Sequence, residues 1–498
     1  MRTIKHHIAG KHVAGDSERL APVYNPATGA VQAEVVLAGA DEVQQAVMAA
    51  REAFEPWANA SLTRRSQILF AFRELMHAHA HELTAAVTAE HGKVLSDAAG
   101  EVQRGLEVVE YACGIPNLLK GEYSDQVSTG VDSYSFRQPL GVVAGITPFN
   151  FPAMVPAWMY PIAIACGNSF ILKPSEQAPS ASNLVAELWK EAGLPDGVFN
   201  VVHGDRVAVE ALLDHPDIAA VSFVGSTSVA RAVHRRASEH GKRVQALGGA
   251  KNHAIVLPDA DPDLTCSQLS SAAFGSAGER CMAISVAVMV GNAGDRILGQ
   301  LQEQTRAITV GPGDEAGSEM GPVITDAARE RILDIIGRSE KQGAHVAVDG
   351  QELLGEEHHH GFFVGPTILD HVTPEMDAYT EEIFGPVLSV VHVSDIEEAI
   401  ELVNANPYGN GTAIFTSDGG SARHFTRSIR AGMVGVNVPV PVPMAYHSFG
   451  GWQESLFGDH HIHGPEGVQF YTQGKVVTTR WPELDVVERT SFDLPTAS

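Results

Sequence analysis

The chain has 498 residues, 34 basic and 60 acidic, for a net charge of −26. That length allows two or three domains with sizeable cores, and a hydrophobic share of 44% is ordinary for a globular enzyme. Such acidity disfavours nucleic acid or an anionic membrane surface as the main partner, while local arginines and backbone amides can still hold small anionic ligands.

The four cysteines, Cys113, Cys166, Cys266 and Cys281, form no C-x-x-C pair and no disulfide framework. A reducing, cytoplasmic setting is expected. Residues 1–15 have no continuous apolar core of the kind a signal peptide needs. The most apolar stretch, 142–172, is interrupted by Pro148, Asn150, Pro152, Pro156, Pro161 and Asn168, so it is not a membrane span.

In chain order, apolar residues recur with helical spacing over 41–57 and 63–91, and a further helix is predicted over 96–120. Residues 123–138 alternate polar and apolar, as a strand or hairpin does. From 140 to 250, strands at Val142–Ile146, Ser169–Leu172, Ala219–Val224 and Arg243–Ala246 alternate with helices at Ser180–Ala192 and Ser228–His240. This alternation predicts an α/β unit with a parallel sheet, its ligands at the carboxyl ends of the strands. Residues 251–430 repeat the logic, and Val468–Thr479 alternates again. The 123–138 and 468–479 runs are read as a protruding sheet whose exposed edge favours a homo-oligomer. The expected division is 1–122 with 139–250, then 251–440, with 123–138 and 468–498 as the sheet and tail.

The most informative segment is Phe274-Gly275-Ser276-Ala277-Gly278-Glu279-Arg280-Cys281-Met282. It places a lone cysteine after small residues and beside an arginine. Nearby positive charge favours the reactive thiolate, and small neighbours admit a substrate carbon. A lone buried cysteine is otherwise usually an inert small hydrophobe. Gly225-Ser226-Thr227 follows a strand and opens a helix, a place suited to phosphate. His358-His359-His360 and the trio His460, His461 and His463 could suggest metal. They lack a helical zinc spacing and read as solvated loops, so no metal is expected.

The Cys281 segment resembles the aldehyde dehydrogenase superfamily. So do Thr147-Pro148-Phe149-Asn150-Phe151-Pro152, Ile171-Leu172-Lys173-Pro174-Ser175-Glu176 and Glu381-Glu382-Ile383-Phe384-Gly385-Pro386. The resemblance implies a Rossmann-like NAD-binding domain, a catalytic α/β domain and an oligomerisation sheet. It also assigns roles. Cys281 attacks the aldehyde carbon, and the Asn150 amide donates to the developing oxyanion. Lys173 and Glu176 hold the adenosine ribose, with Thr147, Phe149 and Gln177 along the same groove. Gly225, Ser226 and Gly248 line the cofactor path, and Glu382 binds the nicotinamide ribose beside Phe384.

One position departs from that pattern. Aligning Gly249-Ala250-Lys251 with the superfamily's Gly-Gly-Lys puts Leu247 where a water-activating glutamate normally stands; the alternative register puts Ala246 there. Neither can act as a general base. Together with Gly249-Ala250-Lys251-Asn252-His253 and Arg280-Cys281-Met282-Ala283, the missing base resembles the CoA-acylating branch, in which a thiol takes the acyl group, although that branch usually carries asparagine at the base position and Leu247 departs from it. That branch implies a carboxylate-bearing semialdehyde, with Arg104 and Arg280 as its anchors, since guanidinium binds carboxylate with two parallel hydrogen bonds. The rival readings are a hydrolytic aldehyde dehydrogenase, a catalytically silent scaffold and a cysteine hydrolase.

Overall fold

The computed structural model describes residues 2–481. Five parallel strands form the heart of the first sheet, in spatial order Arg243–Leu247, Ile218–Val224, Val142–Ile146, Ser169–Lys173 and Phe199–Val201. Val142–Ile146 and Ser169–Lys173 are buried at every residue, as expected where helices cover both faces. The order reverses around Val142–Ile146. The next strand in sequence, Ser169–Lys173, pairs on one side, and Ile218–Val224 pairs on the other. Ligands bind in the crevice that such a reversal opens.

A second sheet has seven strands, in order His345–Val348, Thr367–Asp370, Val387–Val393, Ile284–Val290, Asn252–Val256, Gly411–Phe415 and Met433–Val436. Only His345–Val348 runs antiparallel. The third sheet is antiparallel and joins Thr472–Arg480, Val131–Pro139 and Tyr123–Ser128. It leaves Tyr123, Val127 and Val476 exposed. The protein is thus the α/β fold expected, with a parallel sheet in each of its two large units.

Several boundaries differ from the sequence reading. The helix expected over 63–91 is two helices, Leu62–Ala78 and Ala80–His91, which share His79 as cap. Both bury one face, so the apolar spacing runs through the break. The 96–120 helix ends at Cys113, before a single turn at Ile115–Leu118. Gly464–Phe470 is helical, so the strand read from Val468 begins at Thr472; Val468, Phe470 and Tyr471 pack into the first unit's core. The chain past 440 also returns to the first sheet, where Leu456–Phe457 pairs antiparallel with Ala246–Leu247. Residues 482–498, assigned to the tail, lie outside the described residues. No helix among the described residues is long and apolar enough to cross a membrane.

Candidate active site

Helix Pro262–Phe274 delivers the chain to the cysteine loop. Ser276 (φ 51°), Ala277 (φ 51°) and Gly278 (φ 72°) then adopt left-handed backbone in succession. For the two non-glycine residues this costs about 1–3 kcal/mol each, so the surroundings must enforce it. They do. Ser276 donates through its N–H and hydroxyl to Asp97 Oδ2, at 2.8 and 3.2 Å. Only glycine fits at 278, because a Cβ there would lie 2.1 Å from the Gly385 carbonyl oxygen.

Past this turn, the Cys281 carbonyl accepts hydrogen bonds from Asn252 Nδ2 at 2.9 Å and Asn410 Nδ2 at 3.0 Å. Asn252 is itself held by the Gly411 N–H, which donates to its Oδ1 at 3.1 Å. Sequence reasoning gave neither asparagine a role. Asn252 lay in a quoted motif, but nothing in the pattern names a main-chain oxygen as its partner.

Cys281 is partly exposed. Burial of the thiolate, then the nearby Glu382 charge, push its thiol up to about 12. The lowering expected from Arg280 is the smallest effect there. The reason is geometric: Arg280 donates to Asp97 Oδ1 at 2.6 Å and to the Ser271 carbonyl at 3.4 Å, so a carboxylate already neutralises it.

Asn150 follows the strand Val142–Ile146 and is buried. Its Nδ2 donates to the Glu279 carbonyl at 3.1 Å, which ties it to the cysteine loop two residues before Cys281. A primary amide has a second N–H to offer. Glu382 accepts from the Ala250 N–H at 2.9 Å, and burial raises its carboxyl pKa. It lines a narrow cleft with Cys281, Asn252 and Phe384. Phe384 meets Phe149 edge to face, with ring centroids 6.0 Å apart.

A groove of roughly 840 Å³ opens at the strand ends, lined by Thr147, Lys173, Glu176, Gly225 and Ser226 among others. Lys173 Nζ donates to Glu176 Oε2 at 3.1 Å, and the Thr147 N–H donates to the Lys173 carbonyl at 3.1 Å. Ser226 caps helix Thr227–Glu239 without a side-chain bond, so the first amides of the helix remain open to an anion. Gln177 donates its N–H to Ser175 Oγ in the turn after Lys173, and the Gly248 N–H donates to the Ser455 carbonyl.

Leu247 is buried in the core and pairs with Leu456; Ala246 is buried beside it. Under either register the usual base position is hydrocarbon. Lys251, four residues on, donates to the carbonyls of Ala378 and Glu381, both at 2.7 Å. Burial lowers its ammonium pKa to about 7.

Arg104 lies on helix Leu95–Cys113. Its guanidinium donates to Glu107 at 2.6 Å and to the carbonyls of Val442 and Pro443 at 3.2 and 2.7 Å. The histidine clusters correct one expectation. His463 is no solvated loop residue: it is buried, 5.7 Å ring to ring from Trp158. His358 packs on Phe363, at 4.8 Å between centroids. A different trio comes together at the carboxyl ends of Thr367–Asp370 and Val387–Val393 in the second sheet, Asp370, His371 and His392, and there Asp370 Oδ1 already takes His392 Nε2 at 2.8 Å and the His371 N–H at 2.7 Å.

Two units built on parallel sheets carry an open groove at strand ends and, apart from it, a cysteine in a narrow cleft, and residues 12–477 match the aldehyde dehydrogenase family. The chain belongs to that family. It is 54% identical to a malonate-semialdehyde dehydrogenase of Pseudomonas aeruginosa, over 99% of this chain and 100% of that one. A methylmalonate-semialdehyde dehydrogenase from Oceanimonas doudoroffii superposes with a TM-score of 0.95 at 55% identity, covering 98% of this chain and 100% of that chain. A Sinorhizobium meliloti structure described as a methylmalonate-semialdehyde dehydrogenase complexed with NAD gives a TM-score of 0.96 at 50% identity, covering 97% and 99%.

Proposed function

We propose that this enzyme is an NAD-dependent, CoA-acylating methylmalonate-semialdehyde dehydrogenase. It oxidises malonate or methylmalonate semialdehyde, releases CO2 and passes the acyl group to coenzyme A, giving acetyl-CoA or propionyl-CoA. Relatives that match over nearly the whole chain carry those substrate names, and one was solved with NAD. The observation that carries the CoA reading is Leu247, a buried hydrocarbon where a hydrolytic enzyme needs a base.

Cys281 sulfur adds to the aldehyde carbon. Asn150 Nδ2 and the Cys281 N–H stabilise the oxyanion, and such a preorganised donor is worth roughly 3–4 kcal/mol. NAD, when bound, supplies the hydride acceptor and brings a positive charge that opposes the effect of Glu382 on the thiol. Loss of hydride leaves a thioester on Cys281; its β-carboxylate departs as CO2, the electron pair of the broken C–C bond stays on the α-carbon as an enolate, and a proton from solvent takes the vacated position. With no base at Leu247, the thioester waits for the thiolate of CoA, which displaces Cys281.

Lys173 and Glu176 hold the adenosine ribose, with Thr147, Phe149 and Gln177 alongside. Gly225, Ser226 and Gly248 meet the phosphates and the cofactor path, and Glu382 with Phe384 orients the nicotinamide end. Arg104 takes the substrate carboxylate, which replaces the carbonyls of Val442 and Pro443. Arg280 can join only by leaving Asp97. The exposed sheet fits a homodimer or homotetramer, and four free thiols fit the cytoplasm.

The test is product analysis by mass spectrometry after incubation with malonate semialdehyde and NAD. Acetyl-CoA formed only when CoA is present supports the reading. Free acid made at the same rate without CoA identifies a hydrolytic enzyme, and no NADH at all identifies a silent scaffold.

A further inference from the structure

Behind the Asn150 loop lies an ion pair that the proposed chemistry does not use. Lys93 and Glu101 are both fully buried, with Lys93 Nζ 2.9 Å from Glu101 Oε2. Taking two charges out of water costs several kcal/mol per ion, so a hydrocarbon pair of equal volume would serve stability as well or better. What distinguishes this pair is where its remaining hydrogen bonds go.

Lys93 Nζ also donates to the main-chain carbonyl of Asn150 at 2.6 Å, and it lies over the Phe151 ring, 4.1 Å from the centroid. The other oxygen of Glu101, Oε1, accepts from the N–H groups of Ala153 and Met154 at 2.7 and 3.1 Å. One ion pair therefore grips residues 150–154 at both ends and presses on the ring between them. Gly92, left-handed at φ 91°, ends helix Ala80–His91 just before Lys93, and Glu101 comes from the next helix. The Glu279 carbonyl, in turn, accepts from the Asn150 side-chain amide. The side chain and the main chain of Asn150 are thus each held by a hydrogen bond of their own.

We infer that Lys93 and Glu101 are positioning residues that hold the Asn150 amide where the oxyanion forms. The inference rests on the reading of Asn150 as the oxyanion donor. The pair touches neither substrate nor cofactor, and it acts through the loop it clasps. Hydrogen bonds to ionised groups are stronger and shorter than neutral ones, and an ammonium–carboxylate pair sealed from water has no competing solvent. A neutral pair of the same volume would fill the space and leave the loop free to shift.

The test is a double-mutant cycle on NADH formation, read with malonate semialdehyde and with propanal. Lys93→Met should lower kcat roughly 10–100-fold on both substrates, part of the loss that follows removal of an oxyanion donor outright. KM and NAD affinity should stay within about 2-fold, as for an interaction made only in the transition state. In an Asn150→Ala background, Lys93→Met should cost less than about 2-fold more, because the group it positions is gone. If Lys93→Met costs its full factor again in that background, the inference is wrong. Asn150→Ala with unchanged kcat would instead sink the underlying reading of Asn150. Should Lys93→Met fail to fold, Glu101→Gln goes through the same cycle, since it removes the charge and keeps an oxygen for Ala153 and Met154. Finally, Lys93→Met/Glu101→Leu should regain thermal stability lost by the single variant without regaining kcat. Recovery of both would reduce the pair to packing.

Discussion

The open groove and the cysteine loop each lie beside the end of a parallel sheet, yet they are built in opposite ways. The groove is made of short-range parts: Lys173 pairs with Glu176 three residues on, and Gly225-Ser226 joins a strand directly to the helix it caps. The cysteine loop is made of long-range main-chain contacts and left-handed backbone, with Asp97, Asn252, Asn410 and Gly385 converging from elsewhere in the chain. A groove that is open and regular suits binding. A loop held from many sides suits chemistry, where misplacement of about 1 Å can cost 100-fold. Substitutions in the loop should therefore damage kcat, and those in the groove should damage cofactor KM.

The largest effect expected is that of Cys281→Ala, which should bring NADH production to background while NAD still quenches tryptophan fluorescence with wild-type affinity. Retained turnover would mean the nucleophile lies elsewhere. Next is Asn150→Ala, with a loss of roughly 10²–10³ in kcat and little change in KM; steady-state kinetics decide it, and a rise in KM alone would make Asn150 a binding residue. Arg104→Leu sharpens the contrast by substrate. In the proposed reaction it removes a charged hydrogen bond to the substrate carboxylate, about 1.5–3 kcal/mol, so kcat/KM should fall roughly 10–100-fold for malonate semialdehyde. For propanal, which has no carboxylate, it should stay within about 2-fold, and equal losses would make Arg104 structural.

The smallest effect concerns pH. The Cys281 thiol is pushed up to about 12 by burial first and the Glu382 charge second. A negative neighbour disfavours the thiolate, so Glu382→Gln should lower the thiol pKa. The rate of alkylation by iodoacetamide in the absence of NAD should then rise at a lower pH than in the wild type. A profile unmoved or moved upward would show that Glu382 does not face the thiol.

Much of this was legible in the sequence, for reasons tied to particular residues. Val142–Ile146 and Ser169–Leu172 read as strands because a short apolar run bounded by glycine and proline leaves few alternatives, and the structure buries every residue of both. The break at His79 was invisible because the helices on either side keep the same apolar face. The helix Gly464–Phe470 was misread because a seven-residue helix gives too few repeats to tell its period from alternation. Cys281, Asn150, Lys173 and Glu382 stood out through side-chain type in a motif. Asn252, Asn410, Lys93 and Glu101 did not, because their partners include main-chain atoms 29, 129, 57 and 52 residues away. Every residue has those atoms, so no pattern of side chains announces which ones will be met.

In the proposed reaction, Leu247 leaves the Cys281 thioester without a base to hydrolyse it. Rapid mixing of the enzyme with NAD and malonate semialdehyde in the absence of CoA measures this directly. NADH should appear as a burst of about one equivalent per chain and then nearly stop, because an acyl-enzyme accumulates when its acceptor is missing, and adding CoA should restart steady turnover. A trace that continues linearly without CoA, yielding free acid, would contradict the account.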